Sequence, residues 1–545
     1  MSWLVCGSGV SLWKVSAVRK RKVPPIGSEK NLKYDKGVRK MVKKKRVTSM
    51  LLALVLVSGL CACGGTGGGS KEPEEELKVA AGTPSYADDK FIEMAAYCGP
   101  RRSGYRFWNG ELGKHKGDPE GGWEGWINEE AFQDYIDCGF TYLMAERDAP
   151  YDSADNFEDS SLYPYMELAE KMNIPVLVYA DTLVNMTSSP DYRLTEDQKA
   201  FLAEMVSDLS KYKMFKGFTF RDEPSVGMAK TFGAVKDYLD SLKSDLYYFT
   251  SFLPIYASDL SLFSVEHTDN REEAYKDYMN AFSDAVGTFS YDSYPLFEDP
   301  IQGTTYVRED WFQNLSLAAT NAKEKGYDAG ITIQSMSEGT PDGEYSTIHK
   351  RLPGKKQDIT FQLYTALAYG MKYINYYTYW QHWADNDTFT IYSAMVNYPK
   401  EKGGEPIKTD AYYAVKEANA EIKKFDHVFL NFDWEGTMAL TGEDKAMSTG
   451  LQLAGDYKSP RIASATATDE TIIGCMKDEN GFDGYMIVNA TDPGKNLSDS
   501  VTVEFRKATK ALAYIEGEET EIALEDGRYT FDLASGAGVF VIPIQ

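Results

Sequence analysis

Short apolar runs alternate with amphipathic stretches in a steady order from residue 91 to about residue 425. Runs of four to eight residues that are apolar at successive positions read as buried strands. Stretches with apolar residues at i, i+3, i+4 and i+7 read as helices. The strand runs are Phe91–Tyr97, Phe140–Ala145, Pro175–Ala180, Gly217–Phe220, Leu246–Leu253, Thr288–Tyr291, Ala329–Ile333 and Tyr373–Tyr379. Between and after them lie helical stretches: one opening at Asn128, then Leu162–Met172, a stretch from the capping box Thr195-Glu196-Asp197-Gln198 to Tyr212, Gly227–Leu242, Arg271–Ala285, Trp311–Lys325, Ile359–Tyr369 and Tyr412–Lys424. Eight strand–helix pairs in order predict an α/β chain folded as a (β/α)8 TIM barrel over residues 89–433. A doubly wound open sheet alternates in a similar way and is the competing architecture.

The helical period disappears after about Gly436. Short strands then follow at Thr471–Met476, Gly484–Val488, Val501–Phe505, Lys510–Ile515, Arg528–Leu533 and Gly538–Ile542, separated by turns such as Glu479-Asn480-Gly481 and Asp526-Gly527. This predicts a small C-terminal antiparallel β-sandwich over residues 434–545.

The N-terminal pattern has a different cause. Lys43-Lys44-Lys45-Arg46 precedes an apolar run from Met50 to Leu60, and Cys61-Ala62-Cys63 leads into a glycine-rich stretch. This resembles a bacterial lipoprotein signal over residues 41–62, with Cys63 as the lipidated residue and Met41 as the start, residues 1–40 being an upstream extension. The apolar run is shorter than the ~20 residues of a bilayer span. Residues 63–88 read as a flexible Gly/Glu-rich tether. The expected place is the cell membrane, lipid-anchored and facing outward.

Charge narrows the partners. The chain carries 58 basic and 82 acidic side chains, a net of −24, and residues 1–62 hold fourteen of the basic and two of the acidic ones. The remainder is more acidic still, which argues against nucleic acid. Cys98, Cys138 and Cys475 make no disulfide framework, and the five histidines have no helical i, i+4 pair, so no metal is expected. Neither a P-loop nor a dinucleotide fingerprint is placed between strand and helix, so no cofactor is expected.

The candidate chemistry lies where strands end. The fourth run passes into Arg221-Asp222-Glu223-Pro224, and the C-terminal ends of barrel strands are where such enzymes keep their active sites. Numbering the strands brings to one rim Glu146 (second), Asp181 (third), Asp222 and Glu223 (fourth), Asp292 with Tyr294 (sixth), Gln334 (seventh) and Trp380 (eighth). The aromatic loop after the first strand adds Trp108. Carboxylates supply acid and base for a glycosidic oxygen, and aromatic faces stack on sugar rings. The alternative for each carboxylate is a cap on the next helix or a pair with Arg147 or Arg221.

Phe218–Pro224, Phe289–Pro295, and Leu363–Trp380 with Ala368-Tyr369-Gly370 resemble family 42 β-galactosidases and kindred barrel glycosidases, as does the tail from Tyr412 through Asn419-Ala420-Glu421-Ile422. In those families an Asn-Glu pair ends the fourth strand and supplies the acid/base. A second glutamate ends the seventh strand as nucleophile, and a tryptophan ends the eighth. The resemblance implies Glu223 as general acid, with Asp292 and Trp380 matching. It departs at Asp222, which replaces the asparagine, and at Gln334, which occupies the nucleophile position. An amide cannot form the glycosyl-enzyme intermediate. Three repairs remain open: Asp292 as base of an inverting reaction, Asp222 orienting a substrate acetamide as in substrate-assisted N-acetylhexosaminidases, or Glu338 reaching in from the loop after the seventh strand. The expected function is a surface-anchored glycoside hydrolase acting on an extracellular oligo- or polysaccharide. The alternative is a non-catalytic glycan-binding lipoprotein on a degenerate barrel.

Overall fold

The computed structural model describes residues 77–545 apart from 79, 81, 101–105, 109–110, 114–126, 146–150, 152–156, 161, 340–347, 382–389 and 399–404. Each of the eight expected strand regions carries a parallel strand. Leu143–Met144, Val176–Val178, Phe215–Thr219 and Tyr247–Phe249 form one four-stranded sheet in chain order. Phe289–Asp292, Ala329–Gln334, Tyr373–Tyr377 and Glu93–Ala96 form the other, in that order.

Both seams between the two sheets carry backbone hydrogen bonds. At one, Phe252 bridges Tyr291: the Phe252 N–H donates to Ser290 O (2.8 Å) and the Asp292 N–H donates to Phe252 O (3.1 Å). At the other, the Thr141 N–H donates to Met94 O (2.8 Å). Strand neighbours therefore follow chain order all the way round. The sheets hold an almost unbroken apolar core because strands with helices outside them bury both faces.

Helix starts follow the expected chemistry. Asn128 accepts from the Ala131 N–H, and Thr195 and Gln198 exchange the two bonds of a capping box. No helix among the described residues is long and apolar enough to cross a membrane.

The two ends of the parallel strands differ in kind. At the N-terminal end Lys216 pairs with Glu93, and its ammonium lies over the rings of Tyr142 (5.3 Å) and Tyr247 (4.7 Å). That end is plugged by a satisfied ion pair. Asp222, Glu223 and Asp292 lie at the other end.

From Phe432 onward, two antiparallel sheets pack face to face. One has six strands in the order Phe432–Leu440, Thr471–Asp478, Asp483–Asn489, Gly538–Ile544, Lys510–Ile515 and Glu518–Ala523. The other runs Ile462–Ala467, Asp499–Phe505, Arg528–Leu533. Their shared core includes Ile473, Tyr485, Val539 and Val541 from the first and Val501, Val503, Phe505 and Phe531 from the second. The far face of the larger sheet packs on the helix Lys356–Ala368. Gly474 is required there, because a Cβ on it would lie 2.1 Å from Ala368 O.

One element has no counterpart in the sequence pattern. Thr304–Val307, Leu296–Asp299, His349–Lys350, Ser337–Gly339 and Thr390–Ser393 form a five-stranded antiparallel sheet in that order, beside the ends of the sixth to eighth strands. Its strands are only two to four residues long, too short for a local periodicity to mark them.

Candidate active site

The fourth strand ends at Thr219, but its chain stays tied to the fifth. The Phe220 N–H donates to Phe249 O (2.8 Å) and the Glu223 N–H donates to Ser251 O (2.9 Å). Glu223 lies in the left-handed region (φ 47°), a conformation costing a non-glycine residue on the order of 1–2 kcal/mol. Its surroundings impose that cost: Pro224 follows it, and the Tyr278 hydroxyl donates to Pro224 O (2.8 Å). Asp222 is exposed, and its Oδ1 accepts from the Tyr97 hydroxyl (3.1 Å) at the end of the first strand.

Asp292 ends the sixth strand and is only 4% exposed, with its Oδ1 lacking a hydrogen-bond partner. Burial pushes its carboxyl well above the usual carboxylate range, and the charges of Glu223 and then Asp222 push it further; Lys350 opposes them. Three carboxyls from two strand ends thus act on one another. Burial also raises the Tyr294 and Tyr256 hydroxyls, and Asp292 is the next largest cause in each, with Glu223 contributing. The rings form a connected arc: Tyr97 meets Tyr377 edge-on at 5.9 Å, and Tyr377 stacks on Tyr294 at 5.5 Å.

Other expected residues lie elsewhere. Gln334 is fully buried: its Oε1 accepts from the Leu296 N–H (2.9 Å), and its Nε2 donates to Arg351 O (2.7 Å), Leu296 O (3.1 Å) and Met336 O (3.3 Å). A structural tie therefore replaces the substrate contact expected of it. Trp380 is likewise buried, packed against Tyr398 at 5.3 Å, and presents no open face for a sugar. Both corrections have one reason: the segments after the sixth, seventh and eighth strands fold into further structure and cover these side chains.

Arg221 is half-buried, its N–H donating to Thr187 Oγ1 (3.0 Å) and its Nε without a partner. Asp181 is exposed, at the first position of the helix Asp181–Thr187, and accepts from the Tyr179 hydroxyl (3.0 Å). Glu338 pairs with Lys350 (2.7 Å), both side chains being largely buried, which commits it to that ion pair. Glu146 and Cys63 lie outside the described residues, and of Trp108 only the strand Arg106–Trp108 is described.

Sequence reasoning missed Tyr97, Tyr377, Tyr256 and Lys350. Tyr97 and Tyr377 end the first and eighth strands, so aligning strand ends for aromatics as well as carboxylates would have found them. Lys350 carries no such signal, since it sits in the unmarked five-stranded sheet. Among the described residues no group of three His, Cys, Asp or Glu could hold a metal ion.

No protein-family model matches the sequence, and no curated protein does. Comparison with solved structures finds distant likenesses. An Anoxybacillus alpha-amylase is 10% identical, with 83% of this chain and 98% of that chain covered and a TM-score of 0.43. A structure described as a glycoside hydrolase is 10% identical over 86% and 96%, with a TM-score of 0.45. A glycoside hydrolase family 5 protein from Bacteroides vulgatus is 8% identical over 83% and 89%, with a TM-score of 0.44. Likeness at this level says nothing of substrate or mechanism.

Proposed function

We propose that this protein is a glycoside hydrolase acting on an extracellular glycan, its parallel strands forming a (β/α)8 barrel and its N-terminus lipid-anchored through Cys63. One observation carries the reading: Asp222, Glu223 and the buried Asp292 meet among tyrosines at the C-terminal ends of the strands, where burial first, and then Glu223 and Asp222, raise the Asp292 carboxyl. Carboxyls whose environments push their protonation apart mark an acid/base site.

Glu223 is the general acid, giving its proton to the glycosidic oxygen as the bond to the anomeric carbon breaks. The base is the harder assignment. Burial disfavours the carboxylate form that a base must take, so Asp292 fits the base of an inverting reaction poorly. Glu338 is held by Lys350 and Gln334 by backbone. These observations favour Asp222, held by Tyr97, as the group that orients a 2-acetamido substituent. The acetamide oxygen then attacks the anomeric carbon, and water later opens the cyclic intermediate with Glu223 as base.

The test is hydrolysis of nitrophenyl 2-acetamido glycosides beside their 2-hydroxy counterparts, with the product anomer read by proton NMR. Retention confined to 2-acetamido substrates supports the assignment. Inversion on 2-hydroxy substrates would transfer the base role to Asp292. The second reading, a glycan binder without turnover, rests on Gln334 as a structural tie where a nucleophile would stand, and binding with no product after long incubation would favour it.

A further inference from the structure

The five-stranded sheet beside the site has two different faces. Its register pairs Tyr306 with Phe297, Phe297 with Lys350, and Lys350 with Glu338. Directly opposed residues project to the same face, so these four form one cross-strand row. Thr305, Glu298 and His349 form the alternate row on the other face.

The alternate row faces the C-terminal sheets. The Thr305 hydroxyl donates to Asp492 Oδ2 (2.7 Å), and Glu298, His349 and Gly494 help line a cleft of about 510 Å³. The first row faces the carboxylates. The Lys350 ammonium lies over the Tyr294 ring (5.4 Å). The Arg308 guanidinium lies over both Phe297 (5.7 Å) and Tyr256 (3.5 Å). Asp292 and Glu223 act electrostatically on Tyr256 and Tyr294 alike.

We propose that the row Glu338–Lys350–Phe297–Tyr306 extends the active site into a binding surface for an unbranched, uncharged oligosaccharide, whose far sugars rest on Tyr306. The proposal builds on the glycosidase reading and adds chain length and charge to it. Three inter-strand steps carry the row about 14 Å across the sheet, more than one sugar ring needs. At its outer end Phe297 and Tyr306 stack at 5.4 Å and 18°, with Tyr306 37% exposed. An exposed aromatic ring in line with an active site is a ready partner for a sugar face.

Charge selects among glycans. Lys350 is paired with Glu338 (2.7 Å), and Arg308 is held at both ends by Asp310 (3.0 and 2.8 Å). Neither cation offers a net charge to an anionic sugar. The Asp222 carboxylate at the inner end would repel one. A neutral chain meets no such penalty.

Binding tests this without relying on turnover. Unbranched β-1,4-linked N-acetylglucosamine and glucose oligosaccharides of one to six units, with oligogalacturonates beside them, are titrated calorimetrically into the Glu223→Gln protein, alone and combined with Tyr306→Ala or Tyr306→Phe. Affinity for a neutral series is expected to rise with length. Tyr306→Ala should weaken the longest members about fivefold while sparing the monosaccharide, and Tyr306→Phe should retain the gain. Equal melting temperatures keep a folding defect apart from a lost contact. Absence of binding, length-independent affinity, indifference to Tyr306→Ala, or preference for oligogalacturonates overturns the proposal. Hydrolysis of nitrophenyl monoglycosides, which do not reach Tyr306, reports separately on the glycosidase reading.

Discussion

Glu223 and Asp292 are held by consecutive carbonyls of one segment: the Glu223 N–H donates to Ser251 O (2.9 Å) and the Asp292 N–H donates to Phe252 O (3.1 Å). Successive carbonyls of an extended chain point to opposite sides, so Ser251 reaches the fourth strand and Phe252 the sixth. The continuation of the fifth strand is thus a bracket that sets the spacing of the two carboxyls. Ser251 Oγ adds a bond to Thr332 Oγ1 (3.3 Å) of the seventh strand.

If Glu223 is the proton donor, Glu223→Gln keeps the shape and removes the proton. Hydrolysis of an activated glycoside should fall by ~10²–10⁴-fold, the usual worth of general acid–base catalysis. The melting temperature should stay within a degree or so of the parent. Undiminished turnover at an unchanged melting temperature would falsify the role.

Asp292 makes a prediction about pH. Its folded carboxyl binds a proton that the unfolded chain releases near its ordinary value of ~3.9. The native state holds more protons in the window above that value, so stability falls as pH rises, by about 1.4 kcal/mol per unit, until the folded group itself ionises. Asp292→Asn removes this loss. In thermal melts from pH 4 to pH 8 the variant should gain on the wild type as pH rises. Parallel curves would show that Asp292 is not held protonated.

The Lys350–Glu338 pair is largely buried, its side chains 11% and 14% exposed. Lys350→Met strands a carboxylate and Glu338→Gln strands an ammonium. Each should cost about 3 kcal/mol in urea denaturation. The double variant should recover much of that loss, because neither charge is then left alone. Additive losses would mean the two side chains act independently.

Restoring a carboxylate at the seventh strand should not restore a nucleophile. Gln334→Glu would face a carboxylate to the carbonyls of Arg351, Leu296 and Met336, which now accept from the amide. The expected result is a destabilisation on the order of 2–4 kcal/mol with no gain in turnover. A stable, faster variant would place Gln334 in the reaction after all.

The parallel strands were legible because each buries both faces and is followed by a helix, and that pattern is written locally. Asp222, Glu223 and Asp292 were legible for the same reason: once strands are numbered, their ends fall on one rim. Gln334 and Trp380 were misjudged by the same rule. Position at a strand end does not say whether later chain will cover the side chain. Here Arg351 and Tyr398 do so from later chain, and Leu296 from the segment after the sixth strand.

What the sequence determined by itself is the succession of strands and helices, the β-rich C-terminal region and the carboxylates at two strand ends, since period, turn residues and strand position are properties of neighbouring residues. Which carboxyl burial raises, which amide is already spent, and which aromatic faces the site were decided only by tertiary structure. Each depends on burial and on charges brought from elsewhere in the chain. Desolvation of Asp292 beside Glu223, and the two faces of a sheet assembled from strands up to a hundred residues apart, exist only once the chain has folded.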